Sequence, residues 1–158
     1  MIELLLANDS ELVTEARVLF REYADGLGVD LCFQGFDKEL AELPGSYAGP
    51  AGVLLLARVG GRLAGCCALR PHASDEHPNA AEMKRLYVRP EFRGTGLGRK
   101  LVDELLLRAR TMNYKAILLD TLPTMGEAQD LYRKLGFREI APYYPNPVQG
   151  ARFLKLDL

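Results

Sequence analysis

The sequence is poor in cysteine, has no excess of either charge and contains no long apolar run. Its three cysteines, Cys32, Cys66 and Cys67, cannot all pair within one chain, and the two adjacent ones could pair only through a strained ring. We therefore expect reduced thiols. The 20 Lys and Arg against 21 Asp and Glu give a net charge of -1. This balance argues against a dedicated nucleic-acid binder, because phosphate recognition normally needs a basic excess.

The absence of a long apolar run excludes a membrane-spanning helix, which needs roughly 20 such residues. The first apolar stretch contains Glu3 and follows no basic residue, so we expect neither a signal peptide nor an anchor. The expected location is the cytoplasm. A length of 158 residues with 48% hydrophobic content predicts one globular domain over residues 1–158.

Hydrophobic periodicity predicts alternating strands and helices along the chain. The strand patterns cover residues 2–7, 53–59, 63–69, 82–88, 116–119 and 153–158. The first helical pattern follows Asn8, which forms a candidate capping box with Glu11, and others cover about 37–43, 97–112 and 128–135. The order β-α-α-β-β-β-α-β-α-β, with no internal repeat, predicts a mixed sheet with helices on both faces.

A glycine-rich stretch between a predicted strand and a predicted helix is the most informative motif. It consists of Arg93-Gly94-Thr95-Gly96-Leu97-Gly98-Arg99. Such a turn exposes several backbone N–H groups and the positive end of the helix dipole, which together bind pyrophosphate. The spacing differs from the G-x-G-x-x-G of dinucleotide-binding folds, and Lys100 is followed by Leu101 rather than by the Ser or Thr of a P-loop.

Two segments together indicate a known family. EMKRLYVRPEFRGTGLGRKLVDELL, residues 82–106, resembles the acyl-CoA-binding motif of the GNAT superfamily, whose members are acetyl-CoA-dependent N-acetyltransferases. LYRKLGFRE, residues 131–139, resembles the second signature of that family on the following helix. With the first strand and helix and the hairpin between the second and third strands, these motifs cover nearly the whole chain in the family's order.

This resemblance implies the GNAT fold of the α/β (α+β) class, a mixed, mostly antiparallel central sheet with splayed middle strands. It also implies acetyl-CoA as the cosubstrate and no metal. The pantetheine arm would pair like an added strand with Leu86, Tyr87 and Val88. The CoA pyrophosphate would rest on the backbone amides of the glycine-rich loop, formed by Arg93, Gly94, Thr95, Gly96, Leu97, Gly98 and Arg99.

The resemblance also suggests catalytic roles. Direct transfer from a thioester to an amine needs a neutral amine, a polarised carbonyl and a proton for the leaving thiolate. Glu82 matches the family's general base, and Tyr132 matches its general acid near the CoA sulfur. The backbone N–H of Val88 would polarise the carbonyl. Glu82 and the Asp120-Thr121 pair would flank the reacting centre, and the apolar strands are expected to raise the pKa of Glu82 above about 4.3.

Two further stretches are candidates for the walls of the acceptor site. Phe33 and Gln34 lie between the first two helices, and Tyr143 and Tyr144 lie in a proline-stiffened stretch near the C-terminus. With Thr121 they are the predicted substrate-binding residues. A packed loop explains either stretch equally well, and Glu82 is explained equally well as a solvent-facing strand residue.

The predicted activity is transfer of an acetyl group from acetyl-CoA to a primary amine of a small molecule or peptide. A non-catalytic acyl-CoA sensor and a nucleotide-binding regulator are the alternatives. Neither nucleic acid nor a membrane is an expected partner, and a homodimer is compatible with the prediction. The polar residues His72, Asp75, Glu76 and His77 lack a zinc-binding spacing, so no metal is expected.

Overall fold

Seven strands form one sheet in the computed structural model, which describes residues 1–158. They lie in the order β1-β2-β3-β4-β5-β7-β6, and β4 and β5 are the one parallel pair. The predicted mixed, mostly antiparallel sheet is therefore confirmed. The strands are β1 (Ile2–Leu6), β2 (Val53–Val59), β3 (Arg62–Pro71), β4 (Ala80–Val88), β5 (Ala116–Thr121), β6 (Arg138–Ile140) and β7 (Arg152–Asp157).

Four helices cover the two faces of the sheet, as the sequence predicts. They are α1 (Ser10–Leu27), α2 (Phe36–Glu42), α3 (Leu97–Thr111) and α4 (Gly126–Leu135). Helices α1 and α2 pack against one face and α3 and α4 against the other. None of them is both long and apolar enough to cross a membrane.

The sheet separates two hydrophobic cores. The core under α3 and α4 has 19 buried residues, and the core under α1 and α2 has 14. Because side chains alternate along a strand, Leu55 and Cys67 enter the first core while Leu56 and Cys66 enter the second. All three cysteines are free, as expected, and Cys66 and Cys67 are both buried.

Helix α1 begins one residue later than predicted. Asp9, not Asn8, is the N-cap, and its carboxylate accepts a hydrogen bond from the backbone N–H of Leu12 at 2.9 Å. The prediction of an Asn8–Glu11 capping box is therefore wrong. Both residue types cap well, and the choice falls on Asp9 because its backbone is extended while the next residue is already helical.

Strand β6 is absent from the predicted order. It has only three residues, Arg138 and Glu139 are exposed, and no hydrophobic alternation marks it. Its conformation comes from antiparallel pairing with β7, where Arg138 lies opposite Lys155 and Ile140 opposite Phe153. A strand this short is decided by its partner rather than by its own sequence.

The middle of the sheet is open. Strands β4 and β5 pair at only three positions, ending where Glu82 meets Leu118. Beyond Glu82, β4 has no partner strand on that side, which confirms the expected splay.

Strand β4 also contains a bulge. Arg85 has a positive φ of 61°, and the pairing with β3 shifts register next to it. A bulge adds a residue to one strand and so interrupts the alternation of side chains. As a result the consecutive side chains of Lys84 and Arg85 reach the same atom, Oε1 of Gln34, at 2.9 and 2.8 Å.

Candidate active site

A cleft of about 930 Å³ runs between the end of α1, the separated ends of β4 and β5, the glycine-rich loop and the start of α4. Thr95 does not line it, since its hydroxyl donates a hydrogen bond to the backbone oxygen of Phe92 at 2.7 Å. The other residues predicted to bind the cofactor all line it, namely Leu86, Tyr87, Val88, Arg93, Gly94, Gly96, Leu97, Gly98 and Arg99.

The glycine-rich loop presents free backbone donors to this cleft. Gly94 and Gly96 have φ values of 79° and 81°, a conformation that favours glycine. Gly96 caps α3 without a side-chain hydrogen bond. The N–H groups of residues 97–99, in the first turn, therefore donate to no protein acceptor. With the positive end of the helix dipole, they form an anion-binding end of the cleft.

The local backbone conformation does not require glycine at position 98. Its φ is not positive, and a Cβ atom there would meet only Cγ2 of Val88, at 3.8 Å. Alanine is the better helix former by about 1 kcal/mol, so folding alone does not favour glycine here. Gly98 lines the cleft. The bare Cα therefore leaves room for a ligand that runs close to the backbone of α3.

Tyr132 projects from α4 into the same cleft. Its ring packs against Phe137 with a centroid distance of 5.5 Å. Its hydroxyl makes no hydrogen bond to any protein group. Burial raises the pKa of Tyr132 well above its usual value. Tyr132 therefore holds a proton at neutral pH and can donate it to a group in the cleft.

Glu82 lies beside the cleft and does not line it. Its side chain is 2% exposed, and both carboxylate oxygens are occupied. Oε1 accepts a hydrogen bond from Nε of Arg70 at 2.9 Å, and Nη2 of the same guanidinium lies 2.8 Å away as an ion pair. Oε2 accepts one from the hydroxyl of Tyr143 at 2.7 Å and lies 4.0 Å from Nζ of Lys84.

The pKa of Glu82 is lower than usual, so the expectation of a raised value is wrong. Burial alone raises this pKa, but Lys84 and Arg70 and the hydrogen bond from Tyr143 outweigh it. The expectation considered the apolar strands around Glu82. It did not include Arg70, which pairs with Glu82 across β3 and β4, or Tyr143 from a distant loop.

Lys84 and Asp120 face each other across the gap between β4 and β5. Nζ of Lys84 lies 3.7 Å from Oδ1 of Asp120, and the two side chains are 3% and 8% exposed. Both residues line the cleft, together with Gln34. Burial lowers the pKa of Lys84, while Glu82 and Asp120 oppose that shift.

A second buried ion pair lies behind Lys84. Arg85 donates to both oxygens of Glu39, at 2.9 and 3.0 Å, and its guanidinium packs 5.1 Å from the ring centroid of Phe36. The hydroxyl of Tyr47 donates to Glu39 at 3.0 Å. The pair ties α2 to the bulge of β4, and the side-chain oxygen of Gln34 is held by Lys84 and Arg85 together.

The loop after β6 donates hydrogen bonds to the two acidic residues of the site, Glu82 and Asp120. The hydroxyl of Tyr144 donates to Oδ2 of Asp120, as does the side-chain amide of Asn146 at 2.9 Å. Tyr143 donates to Glu82, and both tyrosine rings pack against Phe153 at 5.1 and 5.4 Å. The two tyrosines contact residues of the site but do not themselves line the cleft.

Of the predicted substrate-binding residues, Gln34 alone lines the cleft. Phe33 packs with the core under α1 and α2. Thr121 is buried, and its hydroxyl contacts the sulfur of Met125 at 3.6 Å. Substrate contact by Phe33, Thr121, Tyr143 and Tyr144 stays a prediction.

Several residues near Glu82 and Asp120 were not among the predicted site residues. This part of the site, where the acceptor is expected, is called the acceptor end. Lys84 and Arg85 could have been found from the sequence, because two adjacent basic residues lie within an otherwise apolar strand. Charged side chains rarely enter a core without a partner. The others show no local pattern. These residues are Arg70, Lys84, Arg85 and Asn146, whereas Asp120 was expected to flank the reacting centre.

The polar loop after β3 does not form a metal centre. His72 packs edge-on against Tyr143 at 4.9 Å, and Nδ1 of His77 lies 3.2 Å from Nζ of Lys155. No group of three or more His, Cys, Asp or Glu side chains is arranged to hold a metal ion.

Comparison with known proteins identifies relatives over most of the chain. The family model described as the acetyltransferase (GNAT) family matches residues 18–137. An uncharacterised N-acetyltransferase of Schizosaccharomyces pombe is 41% identical over 143 residues, which cover 90% of this chain and 86% of the relative.

Solved structures share the fold. A GNAT-family acetyltransferase of Staphylococcus aureus superposes with a TM-score of 0.79 over 99% of both chains, at 22% identity. The PaiA N-acetyltransferase of Thermoplasma acidophilum, solved in complex with coenzyme A, superposes with a TM-score of 0.69 over 100% of this chain and 99% of the other, at 21% identity.

Proposed function

Since the chain belongs to the GNAT family of acetyltransferases, we propose that it moves an acetyl group from acetyl-CoA to a primary amine by direct attack. The observation that supports this best is the continuity of one cleft. It joins the free N–H groups at the start of α3, the unpaired edge of β4, the hydroxyl of Tyr132 and the charged pair of Lys84 and Asp120. These are the parts that a CoA thioester and an amine acceptor require.

Coenzyme A would enter with its pyrophosphate on the backbone N–H groups of the glycine-rich loop. From there the pantetheine arm would run along the unpaired edge of β4 at Leu86, Tyr87 and Val88, adding backbone hydrogen bonds as a strand does. This path would leave the thioester between the splayed strands. The Thermoplasma structure, which has the same fold, was solved in complex with coenzyme A and supports coenzyme A as the ligand.

The reaction balances with groups present at the site. The nitrogen lone pair of a neutral amine attacks the thioester carbon, the carbon–sulfur bond breaks, and the leaving thiolate takes a proton from the hydroxyl of Tyr132. The backbone N–H of Val88 would stabilise the oxyanion. The amine nitrogen loses one proton to a base. Tyr132 suits the acid role because its hydroxyl is protonated at neutral pH, lies in the cleft and has no protein partner, although its raised pKa makes it a weaker acid than a free tyrosine.

The role of Glu82 as the general base stays a prediction, and the structure requires that a water or another side chain connect it to the amine. Its carboxylate does not line the cleft, and both of its oxygens accept hydrogen bonds from protein groups. A proton could reach it from the amine only through an intervening water or side chain. Its lowered pKa keeps it ionised at neutral pH but makes it a weaker base than expected.

We also propose a cytoplasmic location and leave a homodimer as an open expectation. Three free cysteines, two of them buried, agree with a reducing compartment. The net charge of -1 agrees with a small-molecule or peptide acceptor rather than a nucleic acid.

The experiment that tests the activity measures thiol release from acetyl-CoA in the presence of a mixed panel of primary amines. Amine-dependent release, with an acetylated product seen by mass spectrometry, is the expected result. A protein that is stabilised by acetyl-CoA but releases no thiol with any amine would instead be an acyl-CoA sensor. Stabilisation by ATP that competes with CoA would favour the nucleotide-binding alternative.

A further inference from the structure

The charged pair at the acceptor end of the cleft differs from the other buried pairs. Arg70 with Glu82 and Arg85 with Glu39 are held by direct hydrogen bonds of 2.8 to 3.0 Å. Lys84 and Asp120 are 3.7 Å apart, too far for a hydrogen bond. They are also the pair in which both members line the cleft. The protein therefore holds the ammonium of Lys84 next to two carboxylates, Asp120 at 3.7 Å and Glu82 at 4.0 Å, without a hydrogen bond to either.

Both members of this pair have unused hydrogen-bonding capacity. An ammonium group has three donors, and Lys84 uses one, to Oε1 of Gln34 at 2.9 Å. Both hydrogen bonds to Asp120, from Tyr144 and Asn146, go to Oδ2, so Oδ1 accepts none. Oδ1 of Asp120 is open to the cleft rather than sealed in the core, since Nε of Arg108 is the one fully buried side-chain nitrogen or oxygen atom without a hydrogen-bond partner. Each side chain as a whole is more than nine-tenths buried, so a charged ligand group that replaces water at these atoms gains a hydrogen bond to a charged partner.

The surrounding residues prevent the pair from closing by itself. Tyr144 and Asn146 hold Asp120 on β5, and Gln34 holds Lys84 on β4. The strands that carry the two residues diverge from Glu82 onward. The remaining donors of Lys84 and Oδ1 of Asp120 can therefore each take a ligand group side by side without breaking a hydrogen bond within the protein.

Resting on the acetyltransferase activity proposed above, we propose that the acceptor is an α-amino acid, whose amine is received by Asp120 and whose carboxylate is received by Lys84. The two protein groups lie 3.7 Å apart, so a ligand that meets both must carry its amine and its carboxylate close together, as on one carbon atom. Asp120 then takes the proton that the attacking amine loses. A peptide N-terminus has a neutral amide where the amino acid has its carboxylate and cannot neutralise Lys84.

The test compares α-amino acids with their α-amides as acceptors for the wild-type enzyme. The amide keeps the amine and the side chain but lacks the negative charge. We expect kcat/KM to be at least about tenfold higher for the best amino acid than for its amide, since a hydrogen bond to a charged group contributes more than one to a neutral group. This preference runs against intrinsic reactivity, because loss of the carboxylate makes more of the amine neutral.

Lys84→Met tests whether Lys84 causes the preference for the amino acid over its amide. The variant keeps the length of the side chain without the charge, and Lys115→Met, at an exposed position outside the cleft, is the matched control. We expect Lys84→Met to lower kcat/KM for the amino acid about tenfold more than for the amide, and so to abolish the preference. Lys115→Met should keep it.

The outcomes separate this inference from the activity on which it rests. Equal kcat/KM for amino acids and amides in the wild type, or equal losses for both in Lys84→Met, would overturn the amino-acid assignment and leave the acetyltransferase proposal standing. Absence of acetylation of every amine, in a protein that acetyl-CoA still stabilises, would overturn both. The wild-type comparison decides the question even if Lys84→Met fails to fold.

Discussion

Glu82 and Tyr132 differ in what their polar atoms already contact. Glu82 has Arg70 and Tyr143 on its two oxygens, whereas the hydroxyl of Tyr132 has no protein partner and lies in the cleft. A group that exchanges protons with a substrate needs a free atom in reach of it. The geometry therefore favours Tyr132 as a residue that acts on the reacting atoms. Glu82 more readily explains why the charge of Lys84 can be buried.

Tyr132→Phe should lower kcat by about 10²- to 10⁴-fold, the usual contribution of acid catalysis, provided that chemistry limits the rate. The affinity for acetyl-CoA should stay nearly unchanged, because the ring still packs against Phe137. Steady-state kinetics with the preferred amine, together with binding of acetyl-CoA by calorimetry, measures both quantities. A loss in kcat below about threefold would remove Tyr132 from the mechanism.

Glu82→Gln should change how stability depends on pH. The pKa of Glu82 is lower in the folded protein than its unfolded value of about 4.3. Its ionised form therefore stabilises the fold fully above that value, and this contribution is lost as the pH falls through the folded pKa. From about pH 5 downward, the wild type should lose Tm more steeply than the variant. At pH 7 the variant should be the less stable of the two, because Arg70 loses its charged partner.

Thermal melts of both proteins between pH 7 and pH 3 check this prediction. Curves that stay parallel over the acidic range would show that Glu82 does not titrate with folding. The lowered pKa also places any Glu82-dependent limb of kcat/KM below the ordinary carboxyl range. A limb near neutral pH that vanishes in Glu82→Gln would contradict the lowered value.

Helix α3 combines a structural and a binding function in its first turn. Its 15 residues bury Leu97, Leu101 and Leu105 against the sheet, while its free N–H groups face the cleft. The positive φ of Gly94 and Gly96 favours glycine for the fold itself. Gly98 has no positive φ, so a substitution there can separate the effect on folding from the effect on binding.

Gly98→Ala should raise the Tm of the free protein slightly and weaken acetyl-CoA binding. Alanine favours the helix by about 1 kcal/mol, and its methyl group has room in the protein, with Val88 at 3.8 Å. The methyl group would instead occupy space along which the ligand passes. Melting with and without acetyl-CoA measures both effects on one sample. A variant whose ligand-induced shift equals that of the wild type would place CoA away from this turn.

The bulge in β4 is the second local feature on which the site depends. Without the positive φ of Arg85, the side chains of Lys84 and Arg85 would point to opposite faces of the sheet. The bulge instead brings both to Gln34 on the face under α1 and α2. Bulges are frequent next to active sites because they redirect single side chains in this way.

The molecule as a whole depends on two cores that share one sheet. The core under α3 and α4 also supports the cleft, since Leu97 and Tyr132 belong to both. Loss of packing in this core should therefore reduce stability first and ligand binding with it.

Leu101→Ala should destabilise the protein by about 2–5 kcal/mol, because Leu101 is fully buried. For a chain of this length that lowers Tm by roughly 4–20 °C. Leu107→Ala is the matched control on the same helix, since Leu107 is 58% exposed, and its effect should stay within about 0.5 kcal/mol. Urea denaturation of the three proteins gives the comparison. Similar losses for both variants would mean that the assignment of the core is incorrect.

The order of helices and strands, the glycine-rich loop and Tyr132 could all be predicted from the sequence. The first two depend on residues close together in the chain, such as the alternation of a strand or the glycines before a helix, and Tyr132 comes from the resemblance of residues 131–139 to the family's second signature. Two errors in the secondary structure were also local. They were the one-residue shift of the cap from Asn8 to Asp9 and the omission of a three-residue strand whose conformation is set by β7.

Only the tertiary structure determines how the charged side chains of the acceptor end pair with one another. The pKa of Glu82 depends on Tyr143, 61 residues away, and the open contact of Lys84 with Asp120 depends on two strands that diverge. Periodicity reports which face of an element is buried, but it does not report which charged side chains of different elements meet there. That depends on the register of the sheet, on one bulge and on a loop folded back from the C-terminal part of the chain, because electrostatic interactions act through space rather than along the sequence.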